Sequence, residues 1–243
     1  MRALLLSDIH SNLEALDAVI DDANVRGGFY AVWCLGDTVG YGPDPGECIS
    51  RIRDYQLVAV AGNHDYAAVG KISYDNFNGD ARAATVWTAD QLTEAETKFL
   101  GGLPTVVIEE PFTLVHGSLR GPLVEYLIDQ GSASATLAML QSRYCLVGHS
   151  HFPFICRENE GPPVFDEFTE DATFHLEEER WIINTGGVGQ PRDRDPRPSY
   201  GIFDSETMTI ERHRVEYDVE RTQEKIRRAG LPEYLADRLS HGI

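Results

Sequence analysis

Apolar positions in the first sixty residues alternate between two periods. RALLLS (2–7), FYAVWCL (29–35) and LVAVA (57–61) are short continuous apolar runs, the mark of buried strands. Between the first two, NLEALDAVIDDANVRG places Leu13, Leu16, Val19 and Ile20 on one helical face and stops at Gly27. YGPDPGE is a loop, and Pro45 opens a short helix towards Asp54. This strand–helix repetition predicts an α/β arrangement, a parallel sheet with helices on its face. Residues 78–100 read as helical, with Thr93 as an N-cap and Glu96 completing a capping box. Strands follow near 105–109 and 112–116, and a helix near 132–142. From residue 144 the pattern is mostly strands: 144–147, 154–157, 180–184, 199–203 and 207–213. The final segment, 217–243, is helical with a break at Gly230–Pro232. The acidic, turn-rich stretch 158–179 reads as an exposed hairpin insertion, because its acids lack the spacing of a cation-binding loop. No internal repeat interrupts the pattern, so one domain over 1–243 is expected.

Composition narrows the partners. At 243 residues, with 42% hydrophobic and 25% charged content, the chain resembles an ordinary globular protein. Its 39 acids against 21 bases give a net charge of −18. Such a field repels phosphate backbones, which weighs against duplex nucleic acid, and any anionic substrate needs a locally positive site. No apolar run approaches the roughly 20 residues of a membrane span. The N-terminal apolar run, Ala3 to Leu6, is far shorter than the h-region of a signal peptide. A cytoplasmic protein without membrane contact is therefore expected. Cys34, Cys48, Cys145 and Cys156 show no CxxC spacing and read as buried free thiols. A homo-oligomer is left open.

The strand ends carry the chemistry. In open α/β sheets ligands collect at the carboxyl ends of strands. The first strand ends in Asp8 and His10, the second in Asp37, the third in Asn63 and His64. Later strands end in His116 and in VGHSH, which carries His149 and His151. Alternate residues of a strand share a face, so His149 and His151 are expected to project together. The other histidines, His175, His213 and His241, lack such a setting and read as surface residues. So many polar side chains cannot be left unpaired in a core. A metal centre satisfies them. Asp8, His10, Asp37, Asn63, His116, His149 and His151 are too many donors for one ion of normal geometry. Two ions sharing one carboxylate use them all. Mixed imidazole and oxygen donors suit Mn, Fe, Co, Ni or Zn better than Ca or Mg.

The ordered set D-x-H, G-D, G-N-H-D, V-H-G and G-H-S-H, spanning residues 3 to about 204, resembles the calcineurin-like metallophosphoesterases, of the small bacterial phosphoesterase type. The resemblance implies a four-layer αββα sandwich, two mixed β-sheets flanked by helices. It implies that Asp8, His10, Asp37 and His151 serve one divalent transition-metal ion, and Asp37, Asn63, His116 and His149 a second, with Asp37 as the bridge. It implies that His64 protonates the leaving oxygen. Two such ions can hold a bridging hydroxide for in-line attack on phosphorus, and they supply positive charge that the acidic chain lacks. The expected substrate is a small phosphodiester or phosphomonoester.

One segment departs from the phosphoprotein phosphatases of that superfamily. Where they resemble G-D-x-V-D-R-G, this chain has GDTVGYG, with Gly40 for the Asp that orients the catalytic histidine and Tyr41 for the phosphate-gripping Arg. Asp65 or Asp44 is then the candidate to orient His64. Arg120, near His116, is the candidate phosphate clamp. Arg192, in the loop that also carries Gln190 and Arg194, is the candidate substrate contact. The departure disfavours a Ser/Thr phosphoprotein phosphatase. That activity and dinucleoside polyphosphate hydrolysis are the alternatives. A non-catalytic scaffold is disfavoured, because His64 and all seven donors are present.

Overall fold

The computed structural model describes residues 1–243. The first half runs β1 (Arg2–Leu6), α1 (Leu13–Val25), β2 (Ala31–Cys34), α2 (Pro45–Arg53), β3 (Gln56–Ala59), α3 (Asn63–Ala68), α4 (Gly79–Gln91) and α5 (Glu94–Gly102). Then come β4 (Val106–Glu109), β5 (Phe112–Val115), α6 (Gln130–Met139), β6 (Tyr144–Leu146), β7 (Phe154–Arg157), β8 (Val164–Glu167) and β9 (Thr173–His175). The chain closes with β10 (Trp181–Asn184), β11 (Ser199–Asp204), β12 (Thr209–Arg214), α7 (Val219–Arg228), α8 (Glu233–Asp237) and a 3₁₀ turn (Arg238–His241). Asn12 caps α1 by accepting from the Ala15 N–H, and Thr93 with Glu96 forms the expected capping box on α5.

Two six-stranded sheets result, ordered β3-β2-β1-β11-β12-β9 and β4-β5-β6-β10-β7-β8. The strand–helix repeat gives parallel pairing only across β1, β2 and β3, and β11 adds antiparallel to β1. The second sheet is likewise mixed, parallel at β5–β6–β10 and antiparallel at both edges. The period of two along each strand divides the apolar residues between layers. Leu4 and Leu6 of β1 turn outward to helix α1, while Ala3 and Leu5 turn inward to meet Phe112, Tyr144 and Ile183 of the other sheet. Cys145 and Ile182 of the second sheet face Ala133 and Leu137 of α6. This is the expected four-layer sandwich. Each buried Leu or Ile contributes about 1.5–3 kcal/mol to holding the layers together.

Three expectations need correction or detail. The acidic stretch 158–179 does not pair with itself: β8 adds to β7 in one sheet and β9 to β12 in the other. Its acids conceal Phe168 and Phe174, which enter the core between the sheets. His213 is buried, because β12 turns it towards Asp171, whose carboxylate lies 2.8 Å from Nδ1. All four cysteines are free and buried, as expected. The C-terminal helices lie over the loop after β2, packing Ile226, Leu235 and Leu239 with Tyr41 and Ala84. Lys225 of α7 binds Glu14 and Asp44, which fastens this segment to α1 and to the start of α2. No helix is long and apolar enough to cross a membrane.

Candidate metal centre

Parallel strands β1, β2 and β3 end at one edge of the first sheet, and β5 and β6 end opposite in the second. The loops leaving them bring all seven predicted donors together as two clusters. Asp8, His10 and His151 form one triad, and Asp37, His116 and His149 the other, each set of ligand atoms lying within 4.8 Å of one another. Asn63 joins the second, its Oδ1 3.2 Å from His116 Nε2. Asp37 lies between them, with Oδ2 3.2 Å from His116 Nε2 and 3.7 Å from His10 Nε2.

The turns that achieve this are strained. Asp8, His10, Asp37, His149 and His151 all have positive φ, between 48° and 62°. Left-handed backbone at a non-glycine residue costs on the order of 1–3 kcal/mol. This corrects the expected shared face of His149 and His151. Strand β6 ends at Leu146, and two left-handed residues in the following loop send the imidazoles to different triads. The Asn184 amide steadies that loop by donating to the Gly148 carbonyl (3.0 Å) and to Ser150 Oγ (3.1 Å). Close approach elsewhere demands glycine: a Cβ on Gly62 would fall 2.0 Å from Asp37 Oδ1.

Three of the four imidazoles are pinned alike. Nδ1 of His10 faces the Val39 carbonyl at 3.2 Å, that of His116 the Leu35 carbonyl at 2.8 Å, and that of His151 the Gln190 carbonyl. A carbonyl only accepts, so each Nδ1 carries a proton, and each ring, when neutral, presents its lone pair at Nε2. These lone pairs converge. His10 Nε2 lies 3.3 Å from His151 Nε2, which is 3.1 Å from Asp8 Oδ1. His116 Nε2 lies 3.1 Å from His149 Nδ1. Asp8 Oδ1 and His149 Nε2 are buried without any partner. Acceptors so gathered fit a cation, and the mixed nitrogen and oxygen donors fit a divalent transition metal.

Electrostatics agree. Burial alone would raise the Asp8 carboxyl, but His151 and His116 hold it below the usual range. Burial acts likewise on Asp37, and His116 with His64 outweighs it. Burial lowers His10 and His151, and takes His149 down to about 3. His116 is the exception: burial lowers it, yet Asp37 lifts it to about 9. Charged carboxylates and mostly neutral imidazoles are the forms a metal requires.

His64 stands beside both triads, its ring 5.0 Å from His10. Its partners are rings, Tyr41 at 4.4 Å and Phe77 at 4.8 Å, and its buried Nδ1 has no hydrogen-bond partner. Burial pushes its pKa down to about 4. Neither predicted carboxylate orients it. Asp65 accepts from the Val39 and Gly62 N–H groups, and Asp44 is held by Lys225. Gly40 leaves no room for a side chain beside His64: its φ is +96°, and a Cβ there would sit 2.8 Å from His64 Nδ1.

Of the two predicted arginines, only Arg192 approaches the site. It donates to Gln190 Oε1 (3.0 Å), and its guanidinium lies 6.0 Å from the Tyr41 ring. Arg120 is exposed, paired with Glu125, and does not line the cavity beside the second triad. Sequence reasoning missed Phe77, Val124 and Tyr126, which do line that cavity. Their only sequence signal is bulky apolar character in loop segments. It also missed Arg238, whose pKa is lowered by burial and by Arg192.

Comparison with known proteins bears on this arrangement. The profile of the calcineurin-like phosphoesterase superfamily domain matches residues 1–208. An uncharacterised protein of Methanocaldococcus jannaschii is 41% identical over 98% of this chain and 97% of its own. The crystal structure of a metallophosphoesterase from Sphaerobacter thermophilus is 42% identical, covers 100% of this chain and 99% of its own, and superposes with a TM-score of 0.90. A hypothetical protein from Pyrococcus horikoshii shares the fold at 20% identity, with a TM-score of 0.81 over 100% of this chain and 98% of its own.

Proposed function

The chain belongs to the calcineurin-like phosphoesterase superfamily, and from that premise we propose that it hydrolyses small phosphodiesters or phosphomonoesters with two divalent transition-metal ions. The observation that carries this reading is the convergence of four imidazole nitrogens on two buried carboxylates. Asp8, His10, Asp37 and His151 would hold one ion, and Asp37, Asn63, His116 and His149 the other. Bound there, the ions supply Lewis acidity and positive charge towards a phosphoryl group. The backbone carbonyls of Val39, Leu35 and Gln190 fix the ring orientations. His64 is assigned as the donor of the proton to the leaving oxygen, held against Tyr41 and Phe77. Arg192 is assigned to the phosphoryl oxygens, because its Nε is buried without a partner beside Tyr41.

A diester is favoured over a phosphoprotein. A phosphomonoester dianion carries one more negative charge, and Tyr41 occupies the place of a bidentate guanidinium. With Mn²⁺ present, bis-nitrophenyl phosphate should be hydrolysed at least as well as a phosphoserine peptide by kcat/KM. A clear preference for the peptide would replace this assignment with the phosphoprotein phosphatase one. Elemental analysis after reconstitution should approach two ions per chain. Saturation at one would sink the dinuclear reading.

A further inference from the structure

A cavity of about 370 Å³ opens beside the second triad and reaches His64, Asn63 and His149. Tyr41, Phe77 and Tyr126 wall it, and the last two are tied to the site from opposite elements. Phe77 packs against His64 with ring centroids 4.8 Å apart. Tyr126 stacks on His149 at 4.1 Å with 20° between planes. Tyr126 is 46% exposed and neighbouring Val124 63%. Large apolar groups left open around a concave site mark a place where a ligand buries them. The lining holds no Lys, Arg, Asp or Glu, in a chain with 60 such residues (39 acids plus 21 bases). Its polar groups are the amides of Asn63, Asn76 and Asn78, the imidazoles of His64 and His149, and the phenols of Tyr41 and Tyr126. Asn78 Oδ1 is used in capping α4 through the Ala81 N–H (2.9 Å), which leaves its amide hydrogens for a ligand.

We propose that this cavity is the subsite for the alcohol part of the ester, and that it takes an uncharged aromatic ring between Phe77 and Tyr126, with the Asn78 amide at the ring's edge. The assignment rests on the phosphoesterase reading. Because the cavity adjoins His64, the ring belongs to the alcohol that leaves. Water supplies both the oxygen retained on phosphorus and the proton that ends on that alcohol as the P–O ester bond breaks. No Lys or Arg lines the subsite, so it offers a polyphosphate tail no cationic side chain beyond its histidines. A plain aryl alcohol and a nucleoside share the required chemistry.

Two arms test the proposal. In the first, calorimetry on Mn²⁺-loaded protein compares phenylphosphonate with methylphosphonate. Phenylphosphonate should bind tighter, and Phe77→Leu and Tyr126→Leu should each shrink the gap by about 2- to 10-fold, the worth of an aromatic pair. Adenosine 5′-methylenephosphonate separates the two sources: tighter binding than phenylphosphonate assigns the ring to a nucleobase, weaker binding to a plain aryl group. In the second arm, kcat/KM is compared for aryl and alkyl diesters whose leaving alcohols have matched acidity. The aryl preference should fall in both variants. Equal binding of the two phosphonates, or a gap unchanged in both variants, would overturn the subsite. A ring preference in binding without turnover of any diester removes the phosphoesterase reading, whereas turnover without ring preference removes the subsite alone.

Discussion

The two triads use the same donor types in different surroundings. Asp8, His10 and His151 are at most 2% exposed. Beside His10 is a void of only about 10 Å³, closed by Thr222, Ile226, Leu235 and Leu239 of the C-terminal helices. In the other cluster His149 and Asn63 are each 6% exposed and border the 370 Å³ cavity. Both histidines of the first triad are pinned through Nδ1 to carbonyls, whereas His149 turns Nδ1 towards His116 and has no such anchor. The first half is built like a structural site and the second like one with room for a ligand. A near-symmetric donor count therefore hides a division in surroundings, one cluster closed in by protein and the other bordering open space.

The strongest way to break this contrast is to remove what the halves share. Asp37→Asn should cost roughly 10³-fold or more in kcat, since several kcal/mol of charge stabilisation is lost. Metal content should fall at both positions; loss of one ion alone would show that Asp37 belongs to a single half. His64→Ala comes next, at roughly 10²–10⁴-fold with metals retained. Its loss should shrink for nitrophenyl esters, whose leaving groups need no proton. An equal loss on alkyl and nitrophenyl esters would make His64 an organiser of the site.

A smaller effect sharpens the contrast. Ser7 Oγ donates to Asp8 Oδ2 at 2.6 Å and touches only the first triad. Ser7→Ala should weaken that ion's affinity about 10–100-fold, as loss of a ligand's supporting hydrogen bond does. In the wild type a mild chelator should strip the second position first, followed by metal-dependent spectroscopy. In Ser7→Ala the two losses should draw together, and an unchanged order and spacing would count against the division. The smallest effect concerns Gly40. Gly40→Asp places a side chain at φ +96° and against His64, so it should cost about 1–3 kcal/mol in urea unfolding rather than restore phosphopeptide activity. A stable and more active variant would show that His64 can move aside.

The gathering of these seven polar residues was legible because each follows a strand end, of β1, β2 and β3 in one sheet and of β5 and β6 in the other, and these ends meet at one side of the sandwich. The order of the motifs sufficed; no distance was needed. What escaped depends on conformation and distant packing. Nothing in VGHSH signals two left-handed residues, and strand alternation alone gives its imidazoles one face. Arg120 lies near His116 in sequence, but Glu125 five residues on captures it. Phe77 and Tyr126 reach the cavity from loops joined to different elements, and no local period records that meeting. Charge misled at 158–179, where Phe168 and Phe174 decide where the backbone goes.

Ser11 has the backbone twist of its neighbours, φ 54°, without their duty. Its hydroxyl is buried and unpartnered, and it belongs to neither triad. At Asp8, His10, Asp37, His149 and His151 the same twist is locked in by the donors they present. A population selected only for heat resistance would therefore drift unevenly around the site. Glycine would accumulate at Ser11, relieving strain without touching a donor. Glycine at the five donors would bring similar relief but be purged as soon as catalysis was also demanded. The frequencies of glycine at these six positions, with and without that second demand, would read out which strain the chain keeps for its chemistry.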